Sequence, residues 1–260
     1  MQRAIKCVLG AMENNTHYPS PTDANASLPR RQQRFGEVLA QFALFQGMGI
    51  NDLTQVMDRT KFDFRKYPAG KKIVKAGEVC HELLMITHGT LKQVTTHTDG
   101  HFDVEETIEA PYIIQPESLF GLSRKYRSTV KSATAVNMIS LNKREVNILL
   151  ETIQVFRINM LNILSAQSQH LLSAPWTEHP QSLRHLLLLF FIHHSTHLQG
   201  EKTFRLLMKQ LAEMHGCKTL AISKVLNDMK NEGLLQLSRG KIVIPNITAL
   251  IEATKHRKQR

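Results

Sequence analysis

The side chains with the most specific chemistry lie on one predicted helix in the last quarter of the chain. Ile222, Val225, Leu226 and Met229 recur at helical spacing and form an apolar stripe on one face. The other face carries ammonium, hydroxyl and amide groups: Lys218, Thr219, Ser223, Lys224 and Asn227. Such groups bind phosphate oxygens and the polar edges of bases, so the pattern predicts contact with DNA. Leu220 lies beside them and either touches a thymine methyl group or packs inside the protein.

The segment before this helix indicates how it is held. A shorter helix around Leu211 and Ala212 can end at Gly216, which lacks a Cβ and can take the left-handed backbone conformation. Small Ala212 lets the two helices cross closely, which is typical of a helix-turn-helix whose second helix enters the major groove. The alternative is a helical hairpin that has no contact with nucleic acid.

A predicted β-hairpin follows the second helix. Gly233 ends that helix, and two apolar runs, 234–237 and 241–244, flank a turn that contains Arg239. A helix-turn-helix with a hairpin behind it is a winged helix, and Arg239 at the tip of the wing is suited to a phosphate contact.

The charge of the chain is concentrated in the same region. The chain has 33 lysines and arginines and 22 acidic residues, a formal net charge of +11. Its last 80 residues contain 13 of the basic residues and only 5 of the acidic ones. Positive charge on one segment favours binding to a polyanion, with an affinity that falls as salt rises.

Residues 143–174 predict one long helix that ends at Pro175. Seven positions follow the alternating spacing of a two-stranded coiled coil and predict a dimer interface: Leu149, Ile153, Phe156, Met160, Ile163, Gln167 and His170. Further apolar residues, among them Ile158 and Leu161, lie off that seam. We therefore expect the helix to pack on two sides, one against its own subunit and one against a second copy. The alternative is the central core helix of a monomer.

The remaining segments complete an α+β architecture. Residues 1–34 are polar and predict a flexible arm. Residues 35–142 consist of short apolar runs between turn glycines, which predicts a jelly-roll-like β-roll. Residues 143–176 supply the dimerisation helix, and residues 177–260 the winged helix-turn-helix.

These features together resemble the Crp/Fnr family of bacterial transcription regulators. The segments 68–78 and 85–92 resemble its glycine motifs in the roll, and 216–224 resembles its recognition segment. The resemblance implies a cytoplasmic homodimer that binds double-stranded DNA, contacts RNA polymerase and is not an enzyme. It also implies that a small molecule or cofactor in the roll acts as a switch. Many members have Arg-Glu at the positions of Thr219 and Leu220, so a different operator is expected here.

The resemblance also indicates where an effector would bind. Members that bind cyclic nucleotides have Gly-Glu followed ten residues later by Arg-Ser, in which the Glu accepts the ribose hydroxyl and the Arg pairs with the phosphate. The Ser and backbone amides complete the anion cradle. Glu117, Arg127 and Ser128 match this spacing, whereas Pro116 replaces the glycine and removes an N–H. On the dimerisation helix, Ser168 is the candidate for the contact with the base.

Other cofactors fit the residues less well. Three cysteines, Cys7, Cys80 and Cys217, are too far apart for an iron–sulfur cluster and form no disulfide framework. Haem needs only one axial histidine, and several lie in the predicted roll: His81, His88, His97 and His101. His193 and His197 have the four-residue spacing of a metal-binding pair, but a solvated helix face is the expected interpretation.

Two function classes remain open beside a switched regulator. One is a cyclic-nucleotide-binding module that acts through protein partners, and the other is a constitutive regulator whose effector site stays empty. No apolar run approaches the roughly 20 residues that span a bilayer, so no membrane segment is expected.

Overall fold

The computed structural model describes residues 30–173, 180 and 182–256. Within this part of the chain the helices, in order, are α1 Arg30–Ala40, α2 Ile50–Arg59, α3 Lys143–Thr152, α4 Gln154–Ser173, α5 Leu183–His193, α6 Met208–Met214, α7 Thr219–Asn231 and α8 Ile247–His256. Short 3-10 helices span Ala43–Phe45 and Pro116–Leu119. The predicted arm, residues 1–34, lies outside the described residues except for 30–34, which begin α1.

Eleven strands are described. They are β1 Asp63–Tyr67, β2 Lys72–Val74, β3 Glu82–His88, β4 Thr90–Thr96, β5 Asp103–Glu109, β6 Tyr112–Ile114, β7 Thr129–Ser132, β8 Val136–Asn142, β9 Lys202–Arg205, β10 Gln236–Ser238 and β11 Lys241–Ile244. One sheet has the order β1-β8-β3-β6, and the other has the order β10-β11-β9-β5-β4-β7-β2. The predicted α+β fold with a β-roll is confirmed.

The roll closes around an apolar core that its two sheets share with the flanking helices. Alternate residues of β5, namely Val104, Glu106 and Ile108, are buried, and Ile108 belongs to this core. At the turn between β3 and β4, Gly89 has φ +103°, and an added Cβ would overlap the carbonyl oxygen of Ala135. A glycine is therefore required for the roll to close at this corner.

The prediction of one continuous helix over 143–174 is wrong, because the structure divides it into α3 and α4 at Ile153. The two helices meet at 114°, and Ile153 has an extended backbone with φ −113° and ψ 103°. Thr152 donates its hydroxyl to the carbonyl of Ile148 at 2.7 Å, a bond that bends helices. The bend lets Leu149, Ile153 and Phe156 all enter the core of the roll.

The C-terminal helices surround a second apolar core, in which Leu226, Met229 and Leu250 are fully buried. Two residues of the roll, Phe102 and Val104, belong to this same cluster. The wing is correctly predicted as a hairpin of β10 and β11. However, it is not free-standing, because β11 pairs with β9 and β9 pairs with β5 of the roll.

Among the described residues, no single helix is long and apolar enough to cross a membrane. The pair α3 and α4 reaches the required length and composition only when combined across the 114° bend.

Candidate nucleic-acid interface and effector site

The turn between α6 and α7 has the geometry predicted from its glycine. Gly216 takes the left-handed conformation with φ +62°, and the N–H of Cys217 donates to the carbonyl of Ala212 at 2.9 Å. Ala212 is 2% exposed, so the two helices are in close contact at this point. The apolar stripe predicted on α7 faces the core of the domain. Ile222 is buried, whereas Val225 is only partly buried and Leu226 fills the core.

The opposite face of α7 is open to solvent. Lys218, Thr219, Leu220, Lys224 and Asn227 are exposed, and Ser223 is partly buried. Asn227 donates its side-chain amide to the carbonyl of Ser223 at 2.8 Å, which fixes one end of this polar surface. We call these six residues the recognition face. Asp228 is an acidic neighbour, but lysines at 218, 224 and 230 outnumber it.

An ion pair holds the far end of α7 against the rest of its domain. Arg184 of α5 donates from both terminal nitrogens to the carboxylate of Glu232, at 2.9 and 2.6 Å. Such a bidentate pair has a fixed geometry, and the Arg184 side chain is 9% exposed. The pair therefore sets the angle at which α7 leaves the domain surface. Sequence reasoning missed it because the two residues are 48 positions apart.

The wing presents Arg239 to solvent at the turn between β10 and β11. The next residue, Gly240, has φ +68°, which permits this tight turn. The side chains of the recognition face, apart from partly buried Ser223, and Arg239 are thus exposed on one domain. Whether they bind DNA stays a prediction at the level of single residues.

The effector cradle is filled by a side chain of the protein itself. Gln115 accepts hydrogen bonds through Oε1 from the backbone N–H groups of Arg127 at 2.7 Å and Ser128 at 3.1 Å. Its Nε2 donates to the carbonyl of Ser128 at 3.1 Å. Gln115 has φ +39°, a left-handed conformation that is uncommon for a residue with a side chain. The backbone amides that would hold an anion are therefore already occupied.

The predicted effector residues either have partners within the protein or face solvent. Glu117 accepts a hydrogen bond from Nε2 of Gln167 on α4 at 3.1 Å, and Arg127 is exposed. The hydroxyl of Ser128 is buried and lies 2.7 Å from that of Thr95. Ser168 is exposed.

Of the candidate haem histidines, His81, His88 and His101 are exposed and His97 is partly buried. The His97 ring stacks on Phe102 with 4.8 Å between ring centroids. Within the described part of the chain, no group of three or more His, Cys, Asp or Glu side chains is arranged to hold a metal ion. The interpretation of His193 and His197 as one solvated helix face is wrong. Helix α5 ends at His193, and His197 enters an interdomain contact described below.

The seam predicted for the dimer faces inward instead. Four of its residues are 0–2% exposed within a single chain and belong to the core of the roll: Leu149, Ile153, Phe156 and Met160. Ile163 packs against the same core, and Gln167 and His170 are partly buried. Residues that are buried by their own subunit have no surface left for a partner, so this assignment is wrong for the first four. The cause is the bend at Ile153, which turns this face of α4 toward the roll.

A different face of α4 is open, and it has the spacing of a coiled coil. Ile158, Leu161, Ser165, Ser168 and Leu172 are all exposed and follow each other at intervals of three and four residues. The apolar members are 46%, 54% and 63% exposed. Helix α4 therefore has two apolar faces, as predicted. The face that was predicted to meet a second copy packs on the roll, and the other face is exposed.

The C-terminal domain joins the roll through a contact that we call the sheet junction, formed by strands β5 and β9 and residues 196–201. Glu105 and Glu106 lie opposite Thr203 and Lys202 in antiparallel register. The N–H of Thr107 donates to the carbonyl of Glu201 at 2.9 Å. Gly200 has φ +77°, and an added Cβ there would overlap the carbonyl of Thr107. The two domains thus share one continuous sheet.

Glu106 lies at the centre of the sheet junction. Its Oε1 accepts the N–H groups of Thr196 at 2.9 Å and His197 at 3.1 Å, and it lies 3.7 Å from Nζ of Lys202. The side chains of Glu106 and Lys202 are 1% and 0% exposed. Burial lowers the pKa of the Lys202 ammonium, and the Glu106 carboxylate opposes this shift. Oε2 of Glu106 is buried without a hydrogen-bond partner, which adds to the cost of burying this charge.

His197 and Thr196 also reach side chains inside the roll. Nε2 of His197 lies 3.0 Å from the hydroxyl of Tyr112, and Nε2 of Gln93 donates to the hydroxyl of Thr196 at 3.3 Å. Burial lowers the pKa of His197 and raises that of Tyr112, so both groups are neutral near pH 7. These contacts bring residues 196 and 197, which precede β9, to strands β4 and β6, which would line an effector pocket. No sequence motif indicated them.

Two domain models match the chain. A cyclic nucleotide-binding domain covers residues 64–152, and a Crp-like helix-turn-helix domain covers residues 182–253. The chain belongs to the Crp/Fnr family. It is accordingly a DNA-binding transcription regulator with an effector-type domain, and the family consists of transcription factors rather than enzymes.

Solved structures of similar proteins share low sequence identity with this family member. The catabolite activator protein of Thermus thermophilus is 19% identical, with 83% of this chain and 99% of that chain covered and a TM-score of 0.44. The sensor domain of the regulator DNR from Pseudomonas aeruginosa is 16% identical, with coverage of 60% and 100% and a TM-score of 0.46. The CO-dependent factor CooA from Carboxydothermus hydrogenoformans is 15% identical, with coverage of 80% and 94% and a TM-score of 0.38. No curated protein sequence matches the chain significantly.

Proposed function

We propose that this Crp/Fnr regulator binds DNA as a homodimer and places the recognition face of α7 from each copy in the major groove. The observation that carries this proposal is the polar and basic face of α7, which is largely exposed while Ile222, Leu226 and Met229 on its other side are buried. Lysines supply phosphate contacts, and the hydroxyl and amide groups of Thr219, Ser223 and Asn227 match the polar edges of bases.

The exposed face of α4 is the proposed dimer surface. Ile158, Leu161 and Leu172 would interdigitate with the same residues of a second copy around a two-fold axis. Small Ser165 and Ser168 between them allow the two helices to approach closely. Such a dimer would present two recognition faces to operator half-sites about one helical turn, or a multiple of one turn, apart.

We further propose that an effector acts where the roll meets the sheet junction. A ligand that reached the amides of Arg127 and Ser128 would have to displace the side chain of Gln115. A ligand that also reached Gln93 or Tyr112 would compete with Thr196 and His197. Binding would then shift the equilibrium between docked and released positions of the DNA-binding domain. A contact with RNA polymerase is proposed on family membership alone.

A second candidate function is a constitutive regulator that needs no effector. The filled cradle favours it, because the hydrogen-bonding groups that would recognise a ligand already have partners. Under this alternative, the protein binds its operator at full strength without any added small molecule. A regulator with an effector gives an affinity that changes when the correct molecule is supplied.

Selection from random DNA duplexes by the full-length protein tests the main proposal. We expect enrichment of a palindromic site, and a Kd that rises steeply with salt concentration. Lys224→Ala should weaken binding to that site by about 1–3 kcal/mol if the lysine contacts a base. An equal loss on random DNA would mean that Lys224 contacts only phosphate. If no sequence is enriched, the DNA-binding proposal is wrong and a protein-interaction module is favoured.

A further inference from the structure

Leu220 is a large apolar side chain that the protein leaves in solvent. It is 82% exposed and occupies the second position of α7. The sequence left open whether this residue packs inside the protein, and its exposure excludes that possibility within one subunit. Single exposed leucines are common on protein surfaces, so exposure alone assigns no role. The position on the helix and the neighbours of this leucine are what restrict its partner.

The neighbours of Leu220 are polar or charged on the exposed side of the helix. Lys218 and Thr219 precede it, and Lys224 lies one turn later, all of them exposed. An apolar protein partner would have to desolvate these lysines without pairing them, which is costly. A surface that offers anionic groups around a small apolar one avoids this cost. The major groove has that character, since the C5-methyl of thymine lies between two rows of phosphates.

The position of Leu220 suits this contact. In helix-turn-helix proteins the N-terminal residues of the second helix reach the base edges. Leucine has no donor or acceptor, so it cannot distinguish bases through their polar edges. The thymine methyl is the apolar group that a standard base pair presents in the major groove.

We propose that Leu220 is a specificity-determining residue that recognises the 5-methyl group of a thymine in each half-site of the operator. The inference rests on the proposed DNA-binding function and deepens it by naming the group that is read. It predicts that the operator contains a fixed thymine in each half-site, at a position where removal of one methyl group weakens binding.

Replacing thymine by deoxyuridine in the selected operator tests this directly, because only the methyl group is removed. We expect the wild-type protein to bind the fully substituted half-site about fourfold more weakly, the effect of losing one buried methyl-sized contact. Leu220→Ala should bind the thymine operator more weakly and should no longer distinguish it from the deoxyuridine operator. Leu122→Ala changes an even more exposed leucine on the roll and should keep the wild-type preference.

Two outcomes overturn the inference while leaving the proposed function intact. One is equal affinity of the wild-type protein for the thymine and deoxyuridine operators. The other is a Leu220→Ala variant that retains the full preference for thymine. Failure of the selection to yield any operator would instead contradict the DNA-binding proposal itself, so the two failures are distinguishable. Circular dichroism of each variant checks that a loss of binding does not reflect unfolding.

Discussion

At the scale of single residues, the side chain of Gln115 occupies the candidate effector cradle. A glutamine carbonyl is a neutral acceptor, and here it satisfies two N–H groups that would otherwise attract an anion. An incoming phosphate therefore gains only the difference between its own hydrogen bonds and those of the amide it displaces.

Gln115→Gly is expected to open the cradle. Glycine tolerates the left-handed backbone at this position and leaves the N–H groups of Arg127 and Ser128 free. Titration calorimetry with cyclic AMP should give at least about tenfold tighter binding than in the wild-type protein, because charge-assisted bonds to the amides are worth more than about 1.4 kcal/mol. Adding Arg127→Ala should abolish the gain. Equal affinities of Gln115→Gly and wild type would show that Gln115 does not control the site.

The sequence predicted the residues of the cradle but not how they are occupied. Glu117 and Arg127 could be identified because their ten-residue spacing is a feature of the local sequence and matches the family motif. The role of Gln115 depends on a left-handed conformation and on two backbone amides 12 and 13 residues away. The replacement of the family's glycine by Pro116 was visible in the sequence. The occupation of the two amides by the side chain of Gln115 was not.

At the scale of elements, the predictions were good for local patterns and poor where tertiary contacts decide. The glycine turn, α7 and the wing follow from short-range spacing, and all three are present. The seam of α4 failed because its periodicity is equally compatible with packing on a partner and on the roll. The bend at Ile153 turns the seam toward the roll and away from a partner. Bends between apolar helices have no strong sequence signal, so this outcome could not be predicted.

The corrected dimer surface predicts the effect of a charge on α4. Leu161→Glu would place two carboxylates at the two-fold axis, where they repel each other and lose apolar contact. Sedimentation equilibrium should show a dimer for the wild-type protein and a monomer for this variant. Asn162→Glu puts the same charge one residue further along, at the edge of the exposed face, and should remain a dimer. A Leu161→Glu protein that stays dimeric would contradict this surface.

At the scale of the whole molecule, the sheet junction makes the DNA-binding domain an extension of the roll. Phe102 and Val104 of the roll complete the core of the C-terminal domain, and Glu106 accepts a hydrogen bond from the N–H of Thr196. Movement of the recognition helices relative to the roll therefore requires the strand pair β5–β9 to separate. Contacts of this kind join residues about a hundred positions apart, so no motif in the sequence predicts them.

Two partly buried histidines, His194 and His215, predict that stability falls in mild acid. Burial lowers the pKa of His194 and His215, so the unfolded chain, in which histidine has its ordinary pKa of 6.5, binds protons more readily than the folded one. Above pH 6.5 both histidines are neutral in the folded and in the unfolded chain, so they do not affect stability. As the pH falls from 6.5 toward their lower pKa values in the folded chain, the unfolded chain binds protons first and the free energy of unfolding falls. The melting temperature at pH 5.5 should therefore lie below that at pH 7.5.

His215→Phe should reduce this pH dependence, because Nε2 of His215 is buried without a partner and the ring packs against Phe190. Phenylalanine retains the ring contact and cannot be protonated. His81→Asn removes an exposed histidine and should leave the difference between the two melting temperatures unchanged. If His215→Phe shows the full wild-type difference, protonation of His215 is not part of the acid sensitivity.

Hydroxyl-radical footprinting of the selected operator tests the central claim most directly, because it locates the protein on both strands. Two copies of α7 in successive major grooves predict two protected patches related by a two-fold axis and centred about 10 base pairs, or a multiple of this, apart on one face of the duplex. Leu161→Glu at the same concentration should lose the paired pattern. A single patch for the wild-type protein, or uniform protection along the duplex, would contradict binding by two recognition helices.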